Sequence, residues 1–227
     1  MPSTEEAIGA LLTSAGVEAR LSQALSRYGT LLLAANEAVN LTGASNPDLL
    51  VPHLLDSLTV APYASGPVID IGAGGGLPGI PVGIASGREV TLVEAIGKKA
   101  EFLKRAMDAL ALKGRVLTGR AEVLGHDPAL RGRFSLATAR AVGSGPTVAE
   151  LTIPFLVIGG LAVLQRGQLS DQERQATSDA ARVLGATWES EIPLAGDRRL
   201  IVLRKHENTP EQFPRRNGIP EKRPLCT

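Results

Sequence analysis

Residues 68–85 read VIDIGAGGGLPGIPVGIA, and this stretch decides how the chain folds. It begins with an alternating apolar run at 68–71, passes through five glycines at positions 72–79, and ends in an apolar segment of helical character. Because glycine lacks a Cβ atom, a strand that ends in such a turn brings bare backbone amides close to a ligand. The stretch predicts a strand, a ligand-binding turn and a helix. Its ligand is a dinucleotide, a phosphate or another adenosine cofactor, and the rest of the chain has to distinguish them.

Strand-like and helix-like segments alternate beyond this stretch. The strand-like runs are 67–72, 89–95, 115–119, 134–139 and 161–165, and the helical runs are 79–86, 97–112, 147–157 and 170–184. This alternation predicts an α/β fold with a mostly parallel sheet and helices on both faces. Two last strand-like runs, 188–194 and 199–204, are joined by only four residues, which suffices for a hairpin but not for a crossover. We therefore expect the sheet to end in an antiparallel pair.

Two segments flank the predicted core at 63–205. Residues 1–62 carry Leu and Ala at helical spacing and predict an N-terminal helical cap. Residues 206–227 contain four prolines and more bases than acids, which predicts a basic tail without helical structure. This tail is the end of the chain that we expect to face an anion.

Composition excludes several classes of protein. The 227 residues are 44% apolar with a net charge of +1, which predicts a full core and no overall attraction to nucleic acid or membrane. A single cysteine excludes a disulfide within the chain, and three scattered histidines argue against a metal site. No apolar run reaches ~18 residues and the N-terminus lacks a leader pattern, so we expect a cytoplasmic protein.

Two carboxylates accompany the glycine turn. Asp70 lies inside the first apolar strand, where a buried carboxylate needs nearby donors, and the amides of the turn are suited to supply them. Glu94 follows Gly72 by 22 residues, at the end of the second predicted strand. An acid at that place is positioned to accept both ribose hydroxyls of an adenosine cofactor.

The spacing of glycine and proline separates two cofactor classes. Gly74, Gly76 and Gly79 formally match the dinucleotide pattern, but the glycine directly after the strand lies outside that match. Pro78 and Pro81 lie where the helix begins and remove amide donors that a pyrophosphate needs. The sulfonium of S-adenosylmethionine needs no such donors, so the pattern favours it over NAD. An NAD-dependent oxidoreductase and a non-catalytic nucleotide-binding module remain as alternatives.

Several short motifs occur in a familiar order. They are NLTG at 40–43, HLLDSL at 53–58, DIGAGGGLPGIP at 70–81, LVEAIGKKAEFL at 92–103, GRAE at 119–122, ARAV at 139–142 and FPRRNGIPEKRPL at 213–225. Together they resemble the small-subunit ribosomal RNA guanine-N7 methyltransferases, the RsmG or GidB family, over residues 40–225. The resemblance implies a class I, Rossmann-like S-adenosylmethionine-dependent methyltransferase with a seven-stranded sheet. It also implies methyl transfer to N7 of one guanine in 16S ribosomal RNA, free or in a small-subunit assembly particle.

The resemblance also assigns roles to individual residues. It implies that Gly72 and Leu77 line the cofactor pocket, that Glu94 binds the ribose, and that Ala121 and Glu122 hold the adenine. The predicted set for S-adenosylmethionine, and for S-adenosylhomocysteine as the product, is Gly72, Gly74, Gly76, Leu77, Glu94, Ala95, Ile96, Ala121, Glu122 and Arg140. No metal is expected.

The reaction implied by the resemblance needs little acid–base chemistry. Guanine N7 has a free lone pair at neutral pH, so it attacks the sulfonium methyl group without a general base, and orientation supplies most of the rate. Arg140 is the predicted catalytic residue, because an arginine fork matches the N7 and O6 acceptors of guanine. Its other predicted role is to clamp the methionine carboxylate. A plain ion pair at a strand end is the structural alternative.

Four basic residues are predicted to contact RNA: Lys99, Arg166, Arg215 and Arg216. For Lys99 the favoured alternative is that it belongs to a solvated helix face. Arg166 stands where the family usually has lysine, so the forked guanidinium of arginine replaces the single ammonium group of lysine. The alternative for the tail is that it packs on its own domain. His53 and Asp56 lie one helical turn apart and share a helix face. They are predicted to form either a lid over the cofactor or a helix-capping or packing pair between the cap and the core. Nothing in the sequence demands a dimer, so we expect a monomer.

Overall fold

A seven-stranded sheet forms the centre of the computed structural model, which describes residues 2–226. The strands are β1 (Val68–Ile71), β2 (Val90–Glu94), β3 (Gly114–Thr118), β4 (Phe134–Arg140), β5 (Leu156–Arg166), β6 (Ala186–Pro193) and β7 (Arg199–Lys205). Their order is β3-β2-β1-β4-β5-β7-β6. β7 runs antiparallel to both of its neighbours, and the other pairs are parallel. The predicted α/β fold with an antiparallel last strand is confirmed.

Helices cover both faces of this sheet. Within residues 2–226 they are α1 (Thr4–Ser14), α2 (Ala19–Val39), α3 (Pro47–Leu58), α4 (Gly79–Ser86), α5 (Gly97–Ala109), α6 (Ala121–Leu124), α7 (Gly145–Thr152), α8 (Asp171–Val183) and α9 (Ile219–Lys222). None of these helices is long and apolar enough to cross a membrane.

The two faces of β1 belong to two different hydrophobic clusters, because successive strand residues point to opposite sides. Val68 packs in a cluster that also contains Tyr28 and Leu32 of the N-terminal helices. Ile69 and Ile71 pack in the second cluster, on the opposite face. The helices α1–α3 thus share a hydrophobic core with one face of the sheet. Domain boundaries at residues 62 and 205 stay a prediction.

Two predicted boundaries are wrong. The predicted helix at 147–157 ends at Thr152, and after a 3₁₀ turn at Ile153–Phe155 the strand β5 begins at Leu156 instead of residue 161. Pro154 explains the early end, because it lacks the amide donor that would continue the α-helical hydrogen bonds. The tail, predicted without helix, contains the one-turn helix α9, which tolerates Pro220 in its first turn.

The C-terminal tail packs on the domain rather than extending from it. The guanidinium of Arg131 donates to the carbonyls of Thr209, Pro210 and Phe213 at 2.7–3.1 Å. Phe213 is buried in the second hydrophobic cluster. The hydroxyl of Thr147 donates to the carbonyl of Pro220 at 2.9 Å. These contacts favour the packed alternative and bring residues 218–220 beside α6 and α7.

Candidate functional site

The predicted cofactor-binding residues come together at the carboxyl edge of the sheet. Gly72, Gly74, Gly76 and Leu77 follow β1, and Ala121 and Glu122 follow β3. Glu94 ends β2 and is followed by Ala95 and Ile96, and Arg140 ends β4. Chain order reverses between β1 and β4, and ligands of open α/β sheets bind in the crevice at such a switch point. In the strand register, Ile71 lies opposite Ala139, so Gly72 and Arg140 face each other across this point.

The glycine turn requires glycine for two separate reasons. Gly72, Gly74 and Gly76 have φ values of 68°, 56° and 97°, in the left-handed region that glycine occupies without strain. Gly79 has no such φ, but a Cβ atom there would lie 2.6 Å from Asp70 Oδ2 and 2.5 Å from a methyl of Leu92. The first three glycines therefore shape the crevice, and Gly79 lets α4 approach β1.

Asp70 is completely buried beneath the turn. Its Oδ2 accepts a hydrogen bond from the Gly79 amide at 2.9 Å, and its Oδ1 has no partner within residues 2–226. Burial raises the pKa of Asp70 to about 7, while the Gly79 amide and Arg140 act in the opposite direction. The carboxyl is thus partly protonated at neutral pH, and a cation placed above the turn would favour its ionised form.

Glu94 ties the glycine turn to the end of β2. Its Oε2 accepts from the Gly74 amide at 2.9 Å and its Oε1 from the Ile96 amide at 2.8 Å. Each carboxylate oxygen retains a second lone pair, so these two bonds leave acceptors for ribose hydroxyls. Beside it, Ile96 is 53% exposed, so a large apolar side chain is open to solvent at this edge of the sheet. Glu94 and Ile96 therefore place hydrogen-bond acceptors and an apolar surface within three residues of sequence.

Glu122 connects the same edge to the tail. The side chain is buried, and its Oε1 accepts from the Gly218 amide at 2.9 Å. Gly218 has a φ of 75° and precedes α9. The predicted adenine-binding residue is thus also an anchor for residues 213–225, which sequence reasoning did not reveal.

Arg140 is held by α3 of the N-terminal helices. Its Nη2 donates to His53 Nδ1 at 2.9 Å, and its Nη1 lies 4.0 Å from Asp56 Oδ2. Since arginine is only a donor, His53 Nδ1 accepts and the imidazole carries its proton on Nε2. The pKa of His53 is lowered by burial and by Arg140 and Arg198, which all disfavour the imidazolium.

A cavity of about 330 Å³ opens on the far side of Arg140 from the glycine turn. Its walls come from α3, from the ends of β4 and β5, and from the β6–β7 turn, and its lining residues are His53, Asp56, Arg140, Ala141, Gln165, Arg166, Gly167 and Arg198. Sequence reasoning missed Gln165 and Arg198. A polar residue ending the apolar run LAVL was a usable signal for Gln165. Arg198 is one basic residue in a hairpin turn and gave none.

Two of the four predicted RNA contacts are committed to the fold. Arg166 donates to the Gly143 carbonyl and, at 2.6 Å, to Glu173, so it fixes the loop after β4. Arg215 grips the wholly buried carboxylate of Glu150, with its Nη2 at 2.7 Å from Oε2. A buried carboxylate requires such a cation, which gives Arg215 a structural role that the charge pattern does not predict.

The other two predicted RNA contacts have more freedom. Arg216 is exposed in the turn that precedes α9, and Lys99 is half-buried in the first turn of α5. Within residues 2–226, no group of three or more His, Cys, Asp or Glu side chains is arranged to hold a metal ion.

Comparison with known proteins places the chain in a family. A family model described as rRNA small subunit methyltransferase G matches residues 21–202. The chain belongs to this family. Ribosomal RNA small subunit methyltransferase G of Rubrobacter xylanophilus is 39% identical over 98% of this chain and 92% of its own length. The protein of that name from Leuconostoc citreum is 37% identical over 98% of this chain and its entire length.

Solved structures with low identity share the fold. A 16S rRNA N2 methyltransferase of T. Thermophilus, in complex with AdoMet and guanosine, has a TM-score of 0.50 at 17% identity, covering 70% of this chain and 40% of that one. A branched-chain polyamine synthase of Thermus thermophilus reaches 0.60 at 15% identity, covering 82% of this chain and 64% of that one. Because one fold serves both enzymes, this likeness supports the architecture and not a reaction.

Family membership confirms three expectations from the sequence. The resemblance to the RsmG or GidB family is correct, the protein is a methyltransferase of small-subunit ribosomal RNA, and its cofactor is S-adenosylmethionine. The roles of individual residues stay predictions.

Proposed function

We propose that this protein transfers the methyl group of S-adenosylmethionine to N7 of a guanine in 16S ribosomal RNA. One observation carries the proposal beyond family membership. The crevice over the glycine turn and the cavity of about 330 Å³ adjoin each other, with Arg140 between them. A cofactor in the first and a base in the second would meet at this arginine, which is the arrangement that a direct methyl transfer requires.

The cofactor half of the site fits the chemistry of S-adenosylmethionine. Glu94 binds the ribose with the lone pairs that the Gly74 and Ile96 amides leave unused, and Ile96 covers one face of the adenine. Ala121 and Glu122 border the far end of the adenine. Asp70 lies beneath the turn, where the positive charge of the bound cofactor favours its ionised form.

The transfer itself relies on position and desolvation. The attacking N7 gives its lone pair to the methyl carbon while the bond from that carbon to sulfur breaks, and no proton leaves the guanine. His53 is not available as a base, because its Nδ1 lone pair already accepts from Arg140. Arg140 orients either the base or the methionine carboxylate, and its partial burial strengthens that contact.

The RNA is held by dispersed positive charge. Arg140 and Arg198 line the cavity, and Arg216 and Lys99 supply further positive charge outside it. A single chain supplies all of these groups, so the proposed reaction requires no second subunit. Its substrate, as free RNA or as an assembly particle, places the reaction in the cytoplasm.

Labelled methyl transfer tests the proposal. The protein is incubated with labelled S-adenosylmethionine and either free 16S ribosomal RNA or small-subunit particles, and the modified base is then mapped. Label on N7 of one guanine supports the function, and label on another atom overturns it. Calorimetry with S-adenosylmethionine and NAD runs in parallel. Binding of NAD alone identifies the oxidoreductase, and cofactor binding without incorporation into any RNA identifies a binding module.

A further inference from the structure

Asp56 has an unusual environment for a buried carboxylate. Its side chain is only 5% exposed, yet it lines the cavity beside Arg140. The nearest cations are Arg198 at 3.6 Å and Arg140 at 4.0 Å, both beyond hydrogen-bond distance. Its only bonds within residues 2–226 are made by its backbone, including the carbonyl that accepts from Gln165. Two arginines therefore hold its negative charge in place while its oxygens remain free to accept.

Three more polar atoms of residues that line this cavity lack partners. Oε1 of Gln165, Nη1 of Arg140 and Nε of Arg166 are buried, and none of the three has a hydrogen-bond partner within residues 2–226. The orientation of the Gln165 amide is fixed, because its Nε2 donates to the Asp56 carbonyl at 2.8 Å. Buried polar groups without partners are costly, so their grouping here indicates a ligand that supplies the missing partners. The ligand needs donors for Asp56 and Gln165 and an acceptor for Arg140.

Guanine meets this requirement along one edge. Its N1–H and N2 amino group are adjacent donors, and O6 next to them is an acceptor. Adenine presents an unprotonated N1 at the corresponding place, which a carboxylate repels. Contacts along this edge leave N7, on the other side of O6, free to face the cofactor. The match is between the unpartnered atoms of the protein and the chemical groups of one base.

We infer that this cavity is the guanine pocket of the proposed reaction, and that Asp56 selects guanine by accepting from N1–H and N2–H. The inference rests on the proposed function and names the residue that decides which base is modified. Gln165 supplies a second acceptor and Arg140 donates to O6. A purely structural Asp56 would instead position the two arginines and make no contact with the base.

Base analogues distinguish these two roles. Inosine differs from guanosine only by the missing N2 amino group, and 1-methylguanosine has no N1–H. We expect the wild-type enzyme to methylate RNA with inosine at the target position with a kcat/KM about tenfold lower than RNA with guanosine. RNA with adenosine or 1-methylguanosine should lose activity by a larger factor. A guanosine-to-inosine ratio near one in the wild type overturns the inference, whatever the variants do.

Variants then assign the discrimination to Asp56. Asp56→Ala and the isosteric Asp56→Asn are compared with Asp197→Asn, which removes an exposed carboxylate from the neighbouring turn. The inference expects the guanosine-to-inosine ratio to fall toward one in both Asp56 variants and to stay unchanged in the control. Equal losses on both RNAs, with the ratio retained, show a positioning role and overturn it. Differences in intrinsic N7 reactivity cancel in this comparison.

Two controls separate this inference from the proposed function. Cofactor affinity, measured by calorimetry, should be the same in all variants, and thermal melting shows whether each is folded. If the wild-type protein methylates no guanine N7 at all, the proposed function fails. If it methylates guanine but accepts inosine equally well, only the pocket assignment fails.

Discussion

Asp70 and Glu94 are buried carboxylates at the same edge of the sheet, but their hydrogen bonds differ. Glu94 accepts one backbone amide on each oxygen, whereas Asp70 accepts one amide in total. Backbone donors stabilise the ionised form and burial destabilises it, which is why the pKa of Asp70 rises to about 7. The folded protein therefore holds a proton on Asp70 at a pH where the unfolded chain has lost it.

This difference predicts how stability depends on pH. The Asp70 contribution is fully present below the usual pKa of 3.8 and is lost as the pH rises toward 7. The full rise corresponds to a change on the order of 4 kcal/mol. In the protein without cofactor, Asp70→Asn should gain stability relative to wild type between pH 5 and pH 8. Urea unfolding at several pH values measures this, and parallel wild-type and variant profiles would contradict it.

His53 predicts an effect at the acidic end. Its pKa is lowered, so the folded state favours the neutral ring, and stability is lost as the pH falls below the usual 6.5. Protonation also removes the acceptor for Arg140 and places a third positive charge beside two arginines. His53→Gln retains an acceptor without the charge. Methyl transfer by this variant should fall less steeply between pH 7 and pH 5.5 than transfer by the wild type.

Among the elements, the glycine turn makes separate demands at each position. The crowding at Gly79 comes from Leu92 and Asp70, whereas a Cβ on Gly74 meets nothing closer than 3.8 Å. Gly74 is strained only through its φ of 56°. The close contact at Gly79 and the positive φ at Gly74 both occur in the connection between β1 and α4, so the spacing of the glycines follows from the geometry of that connection.

Alanine substitutions should separate these demands. Gly79→Ala overpacks the contact between α4 and β1 and should cost about 3 kcal/mol, lowering Tm by roughly 6–12 °C. Gly74→Ala should cost about 1 kcal/mol through its φ, while weakening the affinity for S-adenosylmethionine because the added methyl group enters the crevice. Thermal melting and calorimetry measure the two effects. An unchanged affinity in Gly74→Ala would show that the cofactor lies elsewhere.

Short sequence patterns predict individual helices and strands well, but they predict poorly which elements lie next to each other in the fold. The glycine turn, the strand ending at Glu94 and the final hairpin are all encoded within short windows, and the structure contains them. The insertion of β7 between β5 and β6 is not encoded there, because it depends on packing across the whole sheet. For the same reason Arg198, brought beside Asp56 by that hairpin, could not be assigned to the site from the sequence.

At the scale of the whole molecule, the two ends of the chain converge on the site. The N-terminal α3 contributes His53 and Asp56. From the tail, the Gly218 amide donates to Glu122, and Arg215 forms an ion pair with Glu150. The charge pattern of the tail predicts RNA contacts for both of its adjacent arginines. The structure gives the two arginines different environments, because Arg215 pairs with the buried Glu150 whereas Arg216 is exposed.

Those two arginines give a matched pair of variants. Arg215→Ala leaves the buried Glu150 without its cation and should destabilise the fold by about 3 kcal/mol. Arg216→Ala removes an exposed side chain and should leave Tm unchanged. It should weaken RNA binding and lower the salt dependence of that binding by about one phosphate contact. Equal loss of stability in both variants would contradict this division.

The ion pair between Arg215 and Glu150 has a consequence for how the enzyme is made. Residue 215 is synthesised after every strand of the sheet, and until it packs against α7 the fully buried Glu150 lacks its cation. Packing of the segment that contains Arg215 thus neutralises a charge on a helix that was synthesised earlier. A chain that lacks residue 215 would carry that charge unpaired in its interior, which favours unfolding.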